Sequence, residues 1–311
     1  MNYLSSEEGL PSFFVLSFEE TVYIGNMTEK EKLALAEKVC QIAEDASALM
    51  KHRPSEEEIT QKGNISNYVT ATDVAVQHYL EEKLTALIEG SEVLGEESEE
   101  CVPEAEAVWI VDPIDGTSNF IRDLGASVIS IALMQNNVLE IGVVYNPYRN
   151  EMFYAAKGCG AYLNGTKIQV SERDFSHSHF CSALCLYAKE YAEQCMKIIG
   201  RVYQESDDLR RLGAAALELS QLAAGRVELY FEMRIAPWDA AAGALLIEEA
   251  GGYWECLYDE GMQTGKLFPF IAANSKESFD KLRRIVTEYI PEIPYDGSFR
   301  NTALNAKDSV K

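Results

Sequence analysis

The stretch that decides the fold reads Trp-Ile-Val-Asp-Pro-Ile-Asp-Gly-Thr-Ser-Asn-Phe, from position 109 to position 120. Its apolar start predicts a buried strand that delivers the carboxylates of Asp112 and Asp115 to one point. The intervening proline is predicted to end the strand, because it has no backbone N–H. Gly116 and Thr117 then predict a turn that opens a short helix, whose free N–H groups face the same point. Carboxylates beside a helix N-terminus indicate a site for a cation-bound phosphate, and an ordinary Asp-Gly turn is the alternative.

Composition limits the partners that the chain can have. Its 311 residues, 47% of them hydrophobic, suffice for one large domain or two modest ones with an apolar core. A net charge of −23 argues against nucleic acid or an anionic membrane, and it would repel a phosphate unless bound cations reversed the local field. Seven cysteines without a C-x-x-C spacing predict reduced thiols and a cytoplasmic protein. No apolar run approaches the length of a membrane span.

Changes of pattern along the chain predict four segments. They are an N-terminal appendage at 1–26, an α+β domain at 27–170, an α/β domain at 171–290 and a mobile tail at 291–311. The first domain is predicted to begin with a long helix, because Thr28 and Glu31 form a capping box ahead of apolar residues at helical spacing. The polar stretch 171–178 carries no period and is predicted to be the domain boundary.

Acidic side chains recur where predicted strands end or predicted helices begin. They are Asp73, Glu96, Glu97, Asp112, Asp115 and Asp239. Buried acids are costly unless they are paired or bind a metal, so their recurrence at element ends predicts a cation site. Taken singly, each acid has the alternative of a helix cap or a surface acid, and Asp73 and Asp239 in particular lie where N-cap residues lie. Glu96 and Asp112 do not precede predicted helices, which makes capping a weaker explanation for the whole set.

With these residues in view, the chain resembles the inositol monophosphatase family from about Thr28 to Ile290. The blocks that carry the resemblance occur in the family's order. They are Val-Leu-Gly-Glu-Glu-Ser (93–98), the 109–120 stretch, Pro-Trp-Asp-Ala-Ala-Ala-Gly-Ala (237–244) and Glu-Ala-Gly-Gly (249–252), with Val-Thr-Ala-Thr-Asp (69–73), Gly-Val-Val-Tyr-Asn-Pro (142–147) and Gly-x-Gly-Ala-Tyr-Leu-Asn-Gly (158–165). The resemblance implies a layered α/β/α/β/α fold and Mg²⁺-dependent hydrolysis of a phosphate monoester.

The resemblance also implies a set of ligands for two to three Mg²⁺ ions. Glu96, Asp112 and the backbone carbonyl of Ile114 would hold a first ion, and Asp112 would bridge to a second ion completed by Asp115 and Asp239. A third, weaker ion is expected near Glu96. Oxygen-only ligands suit Mg²⁺. Lys62 matches a family lysine near the third ion, and a solvated turn lysine is the equally weighted alternative.

The roles that the resemblance implies in catalysis fall on Thr117, Asp73 and Glu96. Thr117, hydrogen-bonded to Asp73, would orient a metal-activated water or accept a proton from it. Glu96 would take part through the metal. The backbone N–H groups of Gly116 and Thr117 would hold the phosphate. Catalysis would then rely on positioning and electrostatics, without a phospho-enzyme.

The resemblance implies that the substrate is bound by Asp115 and by residues of the second half of the chain. Gly213, Ala214 and Ala215 open a helix there, and relatives commonly carry Ser or Thr where this chain has Ala214, so backbone donors would remain without a hydroxyl. Glu232 matches a residue that binds a polyol hydroxyl. The alternative is that Glu232 faces solvent at a strand end.

Three functions stay open at this point. The resemblance favours an inositol 1-phosphate phosphatase that acts on a small phosphorylated polyol. The same chemistry could serve fructose 1,6-bisphosphate, histidinol phosphate or a 3′-phosphonucleotide, although a bisphosphate needs a second anion pocket and no Lys/Arg cluster is evident in the sequence. The third is a non-catalytic scaffold, since some bacterial relatives contact the transcription machinery. The resemblance further implies a homodimer and inhibition by lithium.

Overall fold

The computed structural model describes residues 27–51, 53–62, 68–98, 103–184, 189–257, 262 and 266–290. The predicted N-terminal appendage and C-terminal tail lie outside these residues. The helices are α1 (Glu29–Ser47), α2 (Ala71–Thr85), α3 (Thr117–Ile121), α4 (Ala192–Tyr203), α5 (Ala215–Ala223), α6 (Pro237–Glu249) and α7 (Lys276–Tyr289). The strands are β1 (Ile59–Gln61), β2 (Tyr68–Thr70), β3 (Glu92–Gly95), β4 (Ala107–Asp115), β5 (Val128–Gln135), β6 (Val138–Asn146), β7 (Glu151–Ala156), β8 (Gly160–Leu163), β9 (Thr166–Ile168), β10 (His179–Ser182), β11 (Asp208–Arg210), β12 (Leu229–Ile235), β13 (Tyr253–Cys256) and β14 (Phe268–Ala273).

The elements stack as helices, sheet, helices, sheet and helices, which confirms the predicted layered α/β class. A seven-stranded sheet runs in the order β3-β4-β5-β6-β7-β8-β9, with only the β3–β4 pair parallel. Helices α1 and α2 cover its outer face around the fully buried Trp109. Helices α5 and α6 fill the space between this sheet and a second sheet. The described part of the chain contains no helix long and apolar enough to cross a membrane.

The second sheet has five strands in the order β11-β10-β12-β14-β13. Its outer face packs against α4 and α7, with Phe180, Phe231 and Ile271 fully buried between them. Helix α6 contacts strands of both sheets. The two halves of the chain therefore share the middle helical layer, and the division at position 170 stays a prediction.

Local signals in the sequence place several boundaries. Thr28 and Glu31 form the expected capping box at the start of α1. Asn136 and Asn137 adopt left-handed conformations, with φ of 51° and 62°, in the tight turn between β5 and β6. Two neighbouring asparagines with positive φ match the twist of antiparallel strands. The predicted hairpin is confirmed.

The N-cap alternative for two of the acids is wrong. The N-cap of α2 is Thr70, and Asp73 is the third helical residue, where its carboxylate accepts from the Thr70 backbone N–H at 2.8 Å. Asp239 is likewise the third residue of α6, whose N-cap is Ala236. At the third position each carboxylate lies inside the first turn, near the positive end of the helix dipole.

One further expectation fails for an identifiable reason, and one strand was not predicted. The proline at 113 does not end β4, which continues to Asp115 past a register irregularity after Asp112. A proline is tolerated where the ladder is already interrupted. Strand β10 directly follows the polar stretch predicted as a boundary, and its four residues are too few to show a period.

Candidate active site

The end of β4 and the start of α3 form a tight corner. The irregularity between Asp112 and Asp115 lets both carboxylates reach the same side of the chain although the residues are three positions apart, and both are buried. Gly116 turns the chain with φ of 87°. A Cβ at this position would lie 3.0 Å from the Ala214 Cβ and 3.1 Å from the Ala126 carbonyl oxygen. Only glycine suits both the conformation and the close approach.

Three carboxylates meet at this corner. Oxygens of Asp112, Asp115 and Asp239 all lie within 4.8 Å of one another, and we call these three residues the acid cluster. Asp239 reaches it from the first turn of α6. The Ser130 hydroxyl on β5 donates to the Trp238 carbonyl at 3.0 Å, which fixes the start of α6 against the seven-stranded sheet. The blocks 109–120 and 237–244, from different halves of the chain, thus supply one group of oxygens.

The pKa values of the three carboxyl groups in the acid cluster are raised above the usual range of a carboxyl. Burial raises the pKa of Asp112 and of Asp115 well above the usual range of a carboxyl, and neighbouring carboxylates raise both further. Burial raises the pKa of Asp239 to about 6, while a hydrogen bond from Asp112 lowers it. Like charges in a buried site disfavour ionisation unless a cation is present. These carboxylates are therefore arranged to ionise fully only beside a cation.

Glu96 lies at the wall of the same cavity, at the end of β3, but is not a member of the acid cluster. Burial raises its pKa well above the usual range, and the charge of Lys62 lowers it. The Lys62 ammonium is 4.0 Å from a Glu96 oxygen and pairs more closely with Glu97. The alternative of a merely solvated turn lysine at position 62 is therefore wrong, because this ammonium neutralises part of the acidic site.

Thr117 connects the cavity to a buried carboxylate behind it. Its hydroxyl lies 3.1 Å from an oxygen of Asp73 and 3.2 Å from the carbonyl of Ile114, so it can donate to either. Burial raises the pKa of Asp73 to about 6, while hydrogen bonds from Thr70 lower it. A carboxylate with this pKa can take up or release a proton near neutral pH. Asp73 and Ile114 do not line the cavity themselves.

The start of α5 is capped from across the molecule. The side chain of Asp115 accepts from the backbone N–H groups of Ala215 at 3.1 Å, Ala216 at 2.8 Å and Leu217 at 3.4 Å. The N-cap residue itself, Ala214, provides no side-chain cap. The backbone donors expected to remain for the substrate at this helix start are thus already bonded to Asp115.

The far wall of the cavity carries two more buried carboxylates. Glu232 on β12 is 6% exposed and accepts from the Tyr230 hydroxyl at 2.6 Å, so it does not face solvent at a strand end. Glu218 on α5 is 2% exposed and accepts through Oε1 from the N–H groups of Leu212 and of Gly213, the latter at 3.1 Å. Burial raises the pKa of Glu218 to about 7.

One cavity brings together most of the residues that the sequence singled out. Those lining it are Glu96, Asp112, Asp115, Gly116, Thr117, Gly213, Ala214, Ala215, Glu232 and Asp239. Sequence reasoning missed Glu218, Tyr230 and Arg211, which line it too. Glu218 had a usable signal, since it is a lone acid within the apolar run of α5, whereas Arg211 had none.

The donor set fits Mg²⁺. The atoms at the corner that could bind a metal are carboxylate and carbonyl oxygens, which hard divalent cations prefer as ligands. Six carboxylates line the cavity, from Glu96, Glu218, Glu232 and the acid cluster. Burying so many acids is unfavourable without a compensating positive charge.

Comparison with known proteins agrees with this geometry. The model of the inositol monophosphatase family matches residues 29–290. The chain belongs to the inositol monophosphatase family. Among curated relatives, the Nus factor SuhB of Salmonella typhimurium is 38% identical over 222 residues, which cover 71% of this chain and 83% of the relative. The Nus factor SuhB of Escherichia coli K12 is 39% identical over 201 residues, 64% of this chain and 75% of the relative.

Solved structures of inositol monophosphatases and suhB proteins share the fold. An inositol monophosphatase from Anabaena (Nostoc) superposes with a TM-score of 0.69 at 31% identity, over 84% of this chain and 98% of that one. The extragenic suppressor protein suhB of Bartonella henselae gives 0.72 at 28% identity, over 83% and 100%. An IMPase/NADP phosphatase solved with Mg²⁺ and phosphate gives 0.70 at 22% identity, over 83% and 95%, a likeness of fold.

Proposed function

We propose that this protein is a Mg²⁺-dependent hydrolase of phosphate monoesters whose substrate is a small phosphorylated polyol, with inositol 1-phosphate as the first candidate. The observation that carries the proposal is the acid cluster, which lies in one cavity with Thr117 and its partner Asp73. Membership of the inositol monophosphatase family supports it.

The metal ligands are proposed to be Glu96, Asp112, Asp115, Asp239 and the carbonyl of Ile114. When bound, Mg²⁺ lowers the pKa of a coordinated water and stabilises negative charge on phosphate oxygens. Two ions would bring four positive charges to a cavity lined by six carboxylates.

The proton is proposed to move through the chain's own hydroxyl and carboxylate. Thr117 Oγ1 can accept a hydrogen bond from the attacking water while it donates to Asp73 Oδ1, which lies 3.1 Å away. Asp73, with its pKa raised to about 6, holds the Thr117 hydroxyl in the orientation that leaves a lone pair for the water. The N–H groups of Gly116 and Thr117 are proposed to hold the phosphate at the start of α3.

Recognition of the polyol is proposed to depend on Glu232. Its carboxylate is buried at the cavity wall, and its Oε2 is held in place by the Tyr230 hydroxyl. A carboxylate fixed in this way can accept hydrogen bonds from substrate hydroxyls. Gly213, Ala214 and Ala215 complete this wall, and Asp115 holds the start of α5 by accepting from the backbone N–H of Ala215.

The test is phosphate release with and without Mg²⁺ from a panel of esters. The panel holds inositol 1-phosphate, fructose 1,6-bisphosphate, histidinol phosphate, glycerol 2-phosphate and 3′-phosphoadenosine 5′-phosphate. Mg²⁺-dependent turnover led by the inositol ester supports both the reaction and the substrate. A different leading ester retains the reaction and replaces the substrate.

A second candidate is the non-catalytic regulatory scaffold raised by the sequence, which the existence of relatives named Nus factor SuhB supports. No turnover of any ester by protein that binds Mg²⁺ would favour it over the phosphatase. The predicted homodimer, the lithium sensitivity and the cytoplasmic location stay predictions from the resemblance and the composition.

A further inference from the structure

Asn119 bonds two separate loops beside the candidate active site. It lies in α3, two residues after Thr117, and it is buried. Its Nδ2 donates to the Ala126 carbonyl and to the Leu212 carbonyl, both at 2.8 Å, and lies 3.3 Å from the Gly213 carbonyl. One side-chain amide therefore connects the corner between β4 and α3 with a loop 93 positions further along the chain.

The loop at Leu212 and Gly213 is held by side chains through both kinds of backbone group. The two carbonyls face Asn119, whereas the two N–H groups donate to Glu218. Gly213 adopts a left-handed conformation, with φ of 78°, between these contacts. A loop whose consecutive backbone groups are bonded in this way has a defined position. That position therefore depends on α3 as well as on α5.

The phosphate side and the polyol side of the cavity touch at this loop. A Cβ on Gly116 would lie 3.0 Å from the Ala214 Cβ and 3.3 Å from the Gly213 carbonyl oxygen. The phosphate is proposed to bind at Gly116 and Thr117. The wall proposed to contact the polyol, which we call the polyol wall, consists of Gly213, Ala214, Ala215 and Glu232. A shift of the loop would change the distance between these two binding regions.

We propose that Asn119 is a positioning residue for substrate recognition, which holds the polyol wall at the distance from the phosphate that one ester molecule spans. The inference rests on the proposed function and adds a residue that determines its specificity. Asn119 is not among the described residues that line the cavity, so it acts through the loop and not by touching the substrate.

The phosphate side of the cavity has bonds of its own that do not involve the Asn119 side chain. The Gly116 carbonyl accepts from the backbone N–H groups of Asn119 at 2.8 Å and Phe120 at 3.0 Å. It also accepts from the Ser127 hydroxyl at 2.9 Å. Loss of the side-chain amide should therefore weaken binding of the polyol and leave the phosphate donors and the proposed metal ligands in place.

The experiment separates binding of the polyol from binding of the phosphate. KM is measured for inositol 1-phosphate, or for the polyol ester that leads the panel, in the presence of Mg²⁺. Inorganic phosphate is measured as a competitive inhibitor in the same assay. We expect Asn119→Leu, which has a similar volume but no donor, to raise KM about tenfold, while kcat and the inhibition constant of phosphate stay within about twofold. Asn119→Ser, which retains one hydroxyl donor, should raise KM less.

Asn274 provides a matched control. It is also a buried asparagine whose Nδ2 donates to backbone carbonyls of a distant loop, those of Ser171 at 2.9 Å and Arg173 at 2.7 Å. It is not among the described residues that line the cavity. Asn274→Leu should lower the temperature of unfolding, as Asn119→Leu does, but should leave the ratio of KM to the phosphate inhibition constant unchanged.

Hydrogen exchange gives a readout that needs neither metal nor substrate. In the wild-type protein the N–H groups of Leu212 and Gly213 are bonded to Glu218 and should exchange slowly. Asn119→Leu should speed their exchange about tenfold, because the loop is then held from one side. Asn274→Leu should leave it unchanged.

The outcomes separate this inference from the proposed function. An unchanged ratio of KM to the phosphate inhibition constant in folded Asn119→Leu, or an equal change in Asn274→Leu, would overturn the role of Asn119 and leave the phosphatase intact. If Asn119→Leu does not fold, an unchanged ratio in Asn119→Ser would do the same. Wild-type protein that binds Mg²⁺ but releases phosphate from no ester of the panel would overturn the proposed function and this inference with it.

Discussion

The acid cluster and the loop of residues 211–214, which we call the rim, face the same cavity but are built in opposite ways. The acid cluster consists of short carboxylates, two of them buried, held on the end of β4 and the first turn of α6. The rim is a loop whose backbone is bonded by Glu218 and Asn119 and whose arginine is exposed. Substitution in the first region changes buried charges, whereas substitution in the second changes an exposed side chain on a fixed backbone.

The difference indicates that the two regions have different roles. Buried like charges store unfavourable energy that a divalent cation relieves, so the acid cluster suits the shared chemistry of the reaction. An exposed side chain can be exchanged without unfolding the protein, so the rim suits the choice of substrate. Four predictions test this contrast, beginning with the largest expected effect.

Asp112→Asn should abolish Mg²⁺ binding and hydrolysis together. We expect kcat/KM to fall about a thousandfold or more, because Asp112 is proposed to bridge two ions. Asparagine retains the acceptor for the Ile114 N–H, which lies 2.9 Å from Asp112 Oδ1, so the fold should persist. Calorimetric titration with Mg²⁺ and phosphate release measure the two losses. In EDTA at pH 8 the variant should unfold at a higher temperature than the wild type, since one buried like charge is gone. A variant that keeps wild-type Mg²⁺ affinity would contradict the ligand assignment.

Thr117→Ala should lower kcat about a hundredfold while leaving Mg²⁺ affinity within about twofold of the wild type. The hydroxyl that contacts Asp73 is removed, but none of the proposed ligands is. The same titration and assay measure the split, and Thr117→Ser is the control that should recover most of the activity. Equal loss of Mg²⁺ binding in Thr117→Ala and Asp112→Asn would refute the separation of roles.

The stability of the protein should decrease as pH rises from about 4.5 to 8, and part of this dependence should belong to Glu218. Its pKa is raised from 4.5 to about 7 in the folded state, so the folded protein binds more protons than the unfolded chain within that interval. Its stabilising effect is complete below pH 4.5 and is lost as pH passes the folded pKa of about 7. At about 1.4 kcal/mol per pH unit, the loss is on the order of 3 kcal/mol.

Urea unfolding across this pH range, in saturating Mg²⁺ and in EDTA, measures the effect. Mg²⁺ should remove the contribution of the acid cluster and leave that of Glu218. Glu218→Gln, which retains an oxygen acceptor for the rim, should give a shallower profile than the wild type in Mg²⁺. The slope that remains comes from Asp73 and Glu232, whose pKa values burial also raises. A profile in Mg²⁺ with the same slope for the variant and the wild type would show that Glu218 does not titrate in this way.

Ala214→Ser should have the smallest effect, a gain in stability below about 0.5 kcal/mol, although a serine N-cap commonly contributes about 1 kcal/mol. The first N–H groups of α5 are already bonded to Asp115, so a new hydroxyl finds no unsatisfied donor. Ala236→Ser, at the N-cap of α6, is a matched comparison, because that N-cap also lacks a side-chain hydrogen bond. Thermal unfolding measures both. A larger gain at Ala214 than at Ala236 would show that Asp115 does not satisfy α5.

Much of the fold could be predicted from short-range patterns. The capping box at Thr28 and the Asn136–Asn137 turn are local properties, and each is confirmed. The misses have a common cause. Strand β10 has only four residues, and the continuation of β4 through Pro113 depends on a break in its pairing with β5. Neither has a local signature, because pairing with a distant strand stabilises it.

The sequence by itself determined which family this chain belongs to and which acids could bind a metal, because those residues lie in contiguous blocks beside strand ends. Only the tertiary structure decided that Asp115 caps α5, that Glu218 is buried and holds the rim, and that Arg211 lines the cavity while Arg210 does not. The physical reason is that each of these contacts joins backbone or side-chain groups brought together by packing. Neither residue type nor spacing along the chain specifies such contacts.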